Sequence, residues 1–175
     1  MKRIQLPMTI EDRLSLKAGD MVYLNGEIFT ARDAAHKKLK DLIDNGKPLP
    51  FDMQDAVIYY VGPTPAREGR VIGSAGPTTS SRMDSYVPQL FDLGMIAMIG
   101  KGKRSEEVKQ SLIAHKGIYF VAPGGAGALL SERIVKREMV AFEELLSEAI
   151  TRLTVEDFPC FVGLDAQGND IYDLD

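Results

Sequence analysis

Three apolar stretches of this chain each end in a glycine-rich turn that leads into a helix-like segment. An apolar run closed by glycine is typical of a buried strand, and the apolar spacing that follows is typical of one helix face. Alternation of this kind predicts an α/β domain in which ligands gather at the loops that follow the strands. The three glycine-rich turns are residues 73–77, 100–102 and 123–127.

The turn at 73–77 opens the most polar of these segments. Four successive hydroxyl side chains follow it, and Arg82 comes next; the hydroxyls are Thr78, Thr79, Ser80 and Ser81. Backbone N–H groups at a helix start lack internal partners, so hydroxyls there either cap the helix or help to hold an anion. An ordinary N-cap and a carboxylate site are both compatible with this segment. A cap does not need four hydroxyls and an arginine, which favours the carboxylate site.

Two further cations stand at comparable turns. Arg32 falls in the first turn of a predicted helix, where the dipole disfavours a cation and an anion is expected nearby, although Asp33 or a surface carboxylate would also serve. Lys101 lies between two glycines, which let the backbone approach a ligand closely. Arg32, Arg82 and Lys101 together suit a small di- or tricarboxylate, since arginine grips a carboxylate through two donors.

The glycine-rich turns do not match nucleotide-binding motifs. The P-loop spacing is absent around Lys101, and Leu130 stands where the last glycine of the dinucleotide pattern should be. Ser105 is predicted to be the N-cap of the following helix. Lys103 and Arg104, just before it, are expected to form a solvated basic turn.

Two hairpins are predicted beside the α/β core. Asn25-Gly26 favours the left-handed backbone angles of a two-residue turn, which predicts strands at 21–24 and 27–30. A closing hairpin is predicted near the end of the chain, with strands at 161–164 and 171–172. These hairpins suggest a second β layer or antiparallel additions to the sheet.

Length and charge narrow the class of protein. The 175 residues predict a single domain, 1–175, in which 1–18 is an N-terminal extension. The net charge of −4 argues against general nucleic-acid binding, which needs a basic face. No apolar run is long enough to span a bilayer, and the first residues lack the apolar core of a signal peptide, so we expect the protein in the cytoplasm.

Cys160 is the single cysteine, which excludes an internal disulfide and any metal or iron–sulfur site built from several thiolates of this chain. Its apolar neighbours predict a buried residue and not a nucleophile. With His36 and His115 as the only imidazoles, a self-contained zinc site is not expected. Any metal chemistry would therefore need a metal brought by another chain.

Four segments, in order along the chain, carry a resemblance to a known family. They are Thr-Ala-Arg-Asp-Ala-Ala-His at 30–36, Tyr-Val-Gly-Pro at 60–63, Gly-Pro-Thr-Thr-Ser-Ser-Arg-Met-Asp at 76–84 and Ile-Gly-Lys-Gly at 99–102. They resemble the beta subunit, or C-terminal domain, of class I fumarate hydratases, over essentially the whole chain from about Gly19 onward. The related L-tartrate dehydratase beta subunit shares the Gly-Pro-Thr-Thr block. That branch tends to have cysteines around the Arg-Asp block and methionine before the second arginine, whereas Ala31, Ala35 and Ser81 stand here, which favours fumarate hydratase.

The resemblance implies a swivelling β/β/α domain with three layers, whose site is formed by the loops after the strands. It also implies a separate alpha subunit, whose three cysteines hold a [4Fe-4S] cluster with one open iron. The expected assembly is a hetero-oligomer with two copies of each chain. This chain alone is then expected to be inactive.

The resemblance also implies roles for the site residues. Arg32, Arg82 and Lys101, with Thr79, would bind the substrate carboxylates, and Thr78 would transfer a proton in the reversible interconversion of (S)-malate with fumarate and water. A threonine hydroxyl is a weak base, so an acidic group of the alpha subunit would have to activate it. The alternatives are an L-tartrate dehydratase beta subunit, a non-catalytic dicarboxylate-binding module, and a scaffold that only stabilises an alpha subunit.

Overall fold

The computed structural model describes residues 2–174. The strands are β1 (Lys2–Gln5), β2 (Met21–Thr30), β3 (Val57–Tyr59), β4 (Ala97–Gly100), β5 (Ile118–Val121), β6 (Ile134–Ala141) and β7 (Ile150–Leu164). The α-helices are α1 (Ile10–Ser15), α2 (Asp33–Asp44), α3 (Val87–Asp92), α4 (Glu106–His115) and α5 (Gly127–Ser131). Short 3₁₀ helices are formed by Ser80–Tyr86, Glu143–Glu148 and Ile171–Asp173. The predicted α/β class is confirmed.

The sheet closes on itself through its last strand. β2, β3, β4 and β5 are parallel neighbours in that order. β7 is 15 residues long and pairs antiparallel with β5 near its end and with β2 over much of its length. β1 is added beside the first half of β2, and β6 beside the first part of β7. The closed sheet therefore has an inner face and an outer face.

Alternate strand residues divide the core into two clusters. At β3, Val57 and Tyr59 belong to the cluster shared with β1 and β7, whereas Ile58 and Tyr60 pack with helix residues such as Leu39. Successive side chains of a strand point to opposite faces, which explains this division. Residues 57–60 are all buried, so both faces of this strand are covered, as a continuous apolar run predicts.

Residues 2–16 pack into the first of these clusters. β1 pairs in parallel with β2, and Ile4, Leu6 and Leu16 are buried against the core of the closed sheet. The segment predicted as an N-terminal extension therefore supplies a strand and part of the core.

The predicted hairpin at 21–30 is wrong. Met21–Thr30 is one strand, with a change of register between Leu24 and Gly26 where it faces β7. The Asn25 amide donates to Asp157 Oδ1 (3.1 Å) and its oxygen accepts from Asp157 N–H (3.0 Å), so Asn25 ties two strands together. Pairing with β7 outweighs the local turn preference, and the Asn-Gly pair marks an irregularity in the ladder instead of a chain reversal.

The predicted closing hairpin is reduced to a single antiparallel bridge, between Leu164 and Asp170, and its returning strand is absent from the described residues. Residues 161–164 are the end of β7, which runs without a break from Ile150. The chain then turns around Asp165, whose buried carboxylate accepts backbone N–H bonds from Ala18, Gln167 and Asn169. Ile171–Asp173 is a 3₁₀ helix and not a returning strand. Side-chain bonds to the backbone offer the chain an alternative to a ladder, and the apolar pattern does not reveal them.

Helix boundaries near the predicted site follow the sequence more closely. Ser105 caps α4, as predicted, and α2 ends just before Asn45. The helical segment after the hydroxyls begins at Ser80, but its first part is 3₁₀, and residues 71–72 lie in a loop and not in the predicted strand. Across residues 2–174, every helix falls short of the length and apolar character needed to cross a bilayer.

Candidate functional site

The segment of Thr78 and Thr79 is held by the backbone at the ends of β3 and β4. Thr79 and Lys101 form an isolated parallel bridge. Ser80 N–H donates to the Lys101 carbonyl (2.9 Å), and Thr78 N–H donates to the Tyr60 carbonyl (2.7 Å). The fold thus brings three of the predicted site residues together from two different turns.

The hydroxyls at 78–81 do not form an ordinary helix cap. Thr79 occupies the N-cap position of the 3₁₀ helix, and its side chain makes no capping hydrogen bond in the described part of the chain. Ser80 is fully buried, and its Oγ accepts a hydrogen bond from Lys101 N–H (3.0 Å). The capping alternative is therefore not supported, and a 3₁₀ helix of 7 residues adds little to an anion site. The charge of the site must come from side chains.

A cleft of about 530 Å³ opens beside Lys101. Its lining residues come from all three glycine-rich turns and from the end of β3: Gly62, Thr64, Ser74, Gly76, Pro77, Lys101, Gly124, Gly125, Gly127 and Ala128. Among these described lining residues, Lys101 is the only charged one. Because most of the lining is backbone, a small ligand has room to approach the lysine and the surrounding peptide groups.

Arg32 lies two residues after the end of β2, at the N-cap position of α2. Its side chain packs against Gly62 so closely that a Cβ at Gly62 would overlap Arg32 Nη1 and Cδ. Gly62 also lines the cleft, which places Arg32 at its side. Arg32 Nε is buried and has no hydrogen-bond partner within residues 2–174. An unpaired buried donor is costly, so a bound group that accepts from Arg32 Nε would be favourable there. Arg13 Nε, outside the cleft lining, is a second buried donor without a partner among the described residues.

Arg82 forms an ion pair with Asp33, the first residue of α2. Both side chains are partly exposed, 54% for Arg82 and 32% for Asp33. Asp33 therefore neutralises Arg82 and not Arg32. Of the five predicted site residues, only Lys101 is among the lining residues of the cleft. The contacts sort the five into two groups: Thr78, Thr79 and Lys101 near the end of β4, and Arg32 and Arg82 at the start of α2.

Arg104 is buried, which contradicts the predicted solvated turn. Its side chain is 0% exposed; Nε donates to Asp84 Oδ1 (2.7 Å) and Nη2 donates to Tyr60 OH (3.1 Å). The guanidinium also lies over the rings of Tyr60 (5.2 Å) and Tyr119 (4.7 Å). An opposite charge and two aromatic faces make burial of this cation possible. Lys103 is exposed, as predicted.

His36 lies one turn beyond Arg32 and is buried. Its Nδ1 is 2.8 Å from the Arg32 carbonyl, and since a carbonyl only accepts, Nδ1 carries the proton. Its ring packs against Tyr60 and Tyr86. Burial lowers the pKa of His36 to about 4. The neutral ring therefore supports the turn that carries Arg32 and adds no charge to the site.

Cys160 is buried on β7, as predicted. Burial raises the pKa of its thiol, which suppresses the reactive thiolate. Within the described part of the chain, no three His, Cys, Asp or Glu side chains meet in a group that could hold a metal ion. The donor set of residues 2–174 therefore does not fit an iron–sulfur cluster.

A second cavity of about 240 Å³ adjoins the cleft and was not predicted. The two share Thr64, Ser74 and Ala128, and Arg67 and Arg70 also line the second cavity. These arginines lie in a loop that the sequence marks only as hydrophilic. Isolated charges in a loop carry no periodic signal, so the sequence does not point to this cavity.

Comparison with known proteins agrees with the motifs. The family model described as Fumarase C-terminus matches residues 1–174. Fumarate hydratase 2 from Leishmania major is 45% identical over 157 residues, which are 88% of this chain and 28% of that protein. Fumarate hydratase class I, aerobic, from Escherichia coli (strain K12) is 46% identical over 151 residues, 85% of this chain and 28% of that protein.

A shorter relative matches over most of its own length. The putative L(+)-tartrate dehydratase subunit beta from Methanocaldococcus jannaschii is 39% identical over 172 residues, 95% of this chain and 88% of that protein. By contrast, the chain spans little more than a quarter of the two fumarate hydratases. Both kinds of relative were expected from the four motifs, and that resemblance is confirmed. From the match over nearly its whole length, the chain belongs to the Fumarase C-terminus family.

Proposed function

We propose that this chain is the beta subunit of a two-subunit hydro-lyase that reversibly interconverts (S)-malate with fumarate and water. The observation that carries the proposal is Arg32, a cation at the side of the cleft whose buried Nε lacks a partner among the described residues. The reaction is taken from the names of the relatives, two of which are fumarate hydratases.

The substrate of this reaction carries two carboxylates, and the site offers cations from separate elements. Arg32, after β2, presents a planar guanidinium suited to a bidentate grip on one carboxylate. Lys101, after β4, supplies a point charge inside the cleft for the other. Thr79, bridged to Lys101, adds a hydroxyl that either donates or accepts. Because the overall charge of the chain is negative, binding depends on these local cations.

Arg82 is proposed to join the site by exchanging one carboxylate for another. A partly exposed ion pair such as Arg82–Asp33 stabilises a protein by less than about 1 kcal/mol. A substrate carboxylate therefore displaces Asp33 from Arg82 at little cost. In the absence of substrate, Asp33 keeps Arg82 next to Arg32.

Thr78 is proposed to move the proton. In the dehydration direction the Thr78 oxygen takes a proton from the carbon next to a carboxylate while its own hydroxyl proton passes to a carboxylate of the partner. The C–H electron pair forms the double bond and the C–O bond on the neighbouring carbon breaks. The hydroxide that leaves combines with the released proton to give water. A threonine hydroxyl needs an activating group, for which we propose an acidic side chain of the partner. Arg32, Arg82 and Lys101 then stabilise the negative charge that builds up on the carboxylate.

The remainder of the site is proposed to belong to an alpha subunit. Residues 2–174 offer no ligand set for the [4Fe-4S] cluster that the family resemblance implies, so that cluster would be held by cysteines of the partner. The assembly of two copies of each chain belongs to the same proposal. The swivelling three-layer arrangement and the cytoplasmic location stay predictions.

L-Tartrate is the second candidate substrate. It is supported by the Methanocaldococcus jannaschii relative, of which the chain covers 88%. (S)-Malate and L-tartrate are both hydroxylated dicarboxylates, so the same cations would serve either one. The choice between them depends on groups that contact the additional hydroxyl of tartrate.

The test is anaerobic turnover of (S)-malate, fumarate and L-tartrate by this chain, by its cluster-loaded partner and by the mixture, with Thr78→Ala in parallel. Thr154→Ala, on β7 and away from the cleft, is the matched control. We expect only the mixture to turn over (S)-malate and fumarate. We expect Thr78→Ala to abolish the turnover of the mixture and Thr154→Ala to leave it unchanged. An inert mixture together with dicarboxylate binding by the single chain would establish a non-catalytic binding module instead. Full activity of the Thr78→Ala mixture would leave this chain the role of a scaffold.

A further inference from the structure

Two buried hydroxyls, on Ser80 and Tyr119, lie 2.8 Å apart behind Lys101. Ser80 is 0% exposed and Tyr119 is 1% exposed, so neither side chain reaches a ligand in the cleft. Buried hydroxyls normally have fixed partners, and here those partners belong to the turn that carries Lys101. We propose that the Ser80–Tyr119 hydroxyl pair is a positioning device that holds Lys101 against the turn of Thr78 and Thr79.

The direction of every hydrogen bond in this device follows from its chemistry. The Gly102 carbonyl only accepts, so Tyr119 OH donates to it (2.9 Å). With its proton used there, Tyr119 OH accepts from Ser80 Oγ–H (2.8 Å). Ser80 Oγ in turn accepts from Lys101 N–H (3.0 Å). These three hydrogen bonds connect the Lys101 N–H to the Gly102 carbonyl through the two hydroxyls, so they fix the backbone of this turn.

Ser80 also binds Lys101 through its own backbone. Its backbone N–H donates to the Lys101 carbonyl (2.9 Å), so Ser80 binds both the N–H and the C=O of Lys101. The fit is close, because a Cβ at Gly100 would overlap Ser80 Oγ and the Tyr60 ring. A glycine before Lys101 is thus required by the close approach of Ser80.

Arg104 couples the two ends of the hydroxyl pair. Its guanidinium lies over the Tyr119 ring (4.7 Å) and its Nε binds Asp84, which belongs to the same 3₁₀ helix as Ser80. Asp84 also accepts from Ser105 N–H (2.9 Å) at the start of α4. The buried cation therefore links the helix of Ser80 to the strand of Tyr119 and explains why a charge is retained in the core.

The consequence for catalysis rests on the proposed function. If Lys101 binds a substrate carboxylate, a more mobile Lys101 backbone weakens substrate binding more than it slows proton transfer at Thr78. Removing either hydroxyl should therefore raise KM more than it lowers kcat. A purely structural role would lower the amount of folded protein and leave the KM of the folded fraction unchanged.

The first test measures amide hydrogen exchange of the full chain by NMR, and it needs neither the partner nor turnover. Ser80→Ala removes the acceptor of Lys101 N–H, so we expect exchange at Lys101 to accelerate by roughly tenfold or more, beyond any global change. Tyr119→Phe keeps the ring under Arg104 and should give a smaller acceleration at the same amide. Tyr23→Phe, a partly buried tyrosine on β2, is the control and should have no effect there.

The second test measures KM and kcat of the assembled enzyme with the same variants. We expect KM to rise by about three- to tenfold, which is the range for one lost hydrogen bond, with kcat within about twofold. The double variant Ser80→Ala/Tyr119→Phe should be no worse than Ser80→Ala, because the two hydroxyls act in series.

The outcomes separate this inference from the proposed function. Unchanged exchange at Lys101 in Tyr119→Phe and Ser80→Ala would overturn the positioning device, whatever the enzyme does. Accelerated exchange with an inactive mixture would support the device and count against the hydro-lyase proposal. If Ser80→Ala does not fold, Tyr119→Phe carries both tests, since it removes one oxygen and no carbon atoms.

Discussion

Asp33 binds Arg82 and leaves the adjacent Arg32 without a carboxylate partner within residues 2–174. The two arginines are thereby brought together at the start of α2, one neutralised and one available. Since the pair is partly exposed, the arrangement is adjustable and not part of the core. Arg32 and Arg82 are therefore expected to contribute to ligand binding more than to the stability of the fold.

Arg82→Ala should abolish most of the activity and leave the fold intact. The loss of one charge-assisted bond to substrate corresponds to a decrease in kcat/KM of about 10- to 100-fold. The free energy of unfolding should change by less than about 1 kcal/mol, because the pair with Asp33 is partly exposed. Steady-state kinetics of the assembled enzyme and urea unfolding of the chain provide the two measurements. A variant that unfolds would contradict the assignment of Arg82 to substrate.

Gly62→Ala should weaken substrate binding by moving Arg32. The added Cβ would overlap the Arg32 guanidinium, so KM should rise in the same direction as in Arg32→Ala. Gly124→Ala is the matched control, since it lines the same cleft and a Cβ there meets no atom within 4 Å. An unchanged KM in Arg32→Ala would show that this cation does not bind substrate.

Asp84→Asn should strongly destabilise the chain, because it leaves the Arg104 charge buried without its counter-ion. The expected loss in free energy of unfolding is about 3 kcal/mol. Asp173→Asn is the control, since it breaks the exposed pair with Lys103 in the adjoining turn and should have no measurable effect. Urea unfolding of both variants compares them. Equal stability of the two would mean that Arg104 finds solvent or another partner.

His36 should make stability depend on pH. Its pKa is lowered from 6.5 to about 4 by burial and, less strongly, by the Arg104 charge, so protonation favours the unfolded chain. The stability that depends on neutral His36 is present above pH 6.5 and is lost as the pH falls toward about 4. The slope is up to about 1.4 kcal/mol per pH unit.

His36→Asn isolates this contribution. An asparagine amide is able to donate to the Arg32 carbonyl as Nδ1 does, but it does not titrate. Urea unfolding between about pH 4 and 7 should therefore show a shallower dependence in the variant than in the parent chain. Parallel curves for the two proteins would assign the pH dependence to other groups.

Local patterns were sufficient to predict much of the fold near the site. The apolar runs of β4 and β5 and the cap at Ser105 depend on neighbours within a few residues. The candidate residues follow from the same kind of signal, because a cation beside glycine or in a first helical turn is visible in a short window. The family follows from four short motifs, since their order and composition are specific together.

Long-range contacts decided what those patterns left open. Asn25-Gly26 became part of a continuous strand because β2 pairs with β7, far along the chain, where Asp157 also binds the Asn25 side chain. Arg104 became a buried cation because Asp84, Tyr60 and Tyr119 surround it from three other segments.

The sequence by itself therefore determined the α/β class, the glycine-rich turns that follow β4 and β5, the family and the candidate residues. The tertiary structure alone decided the closure of the sheet by β7, the pairing of Arg82 with Asp33, and the hydroxyl pair behind Lys101. The physical reason is the range of the interactions. Turn and cap preferences act over a few residues, whereas strand pairing and the burial of charge depend on groups that meet only when the chain has folded.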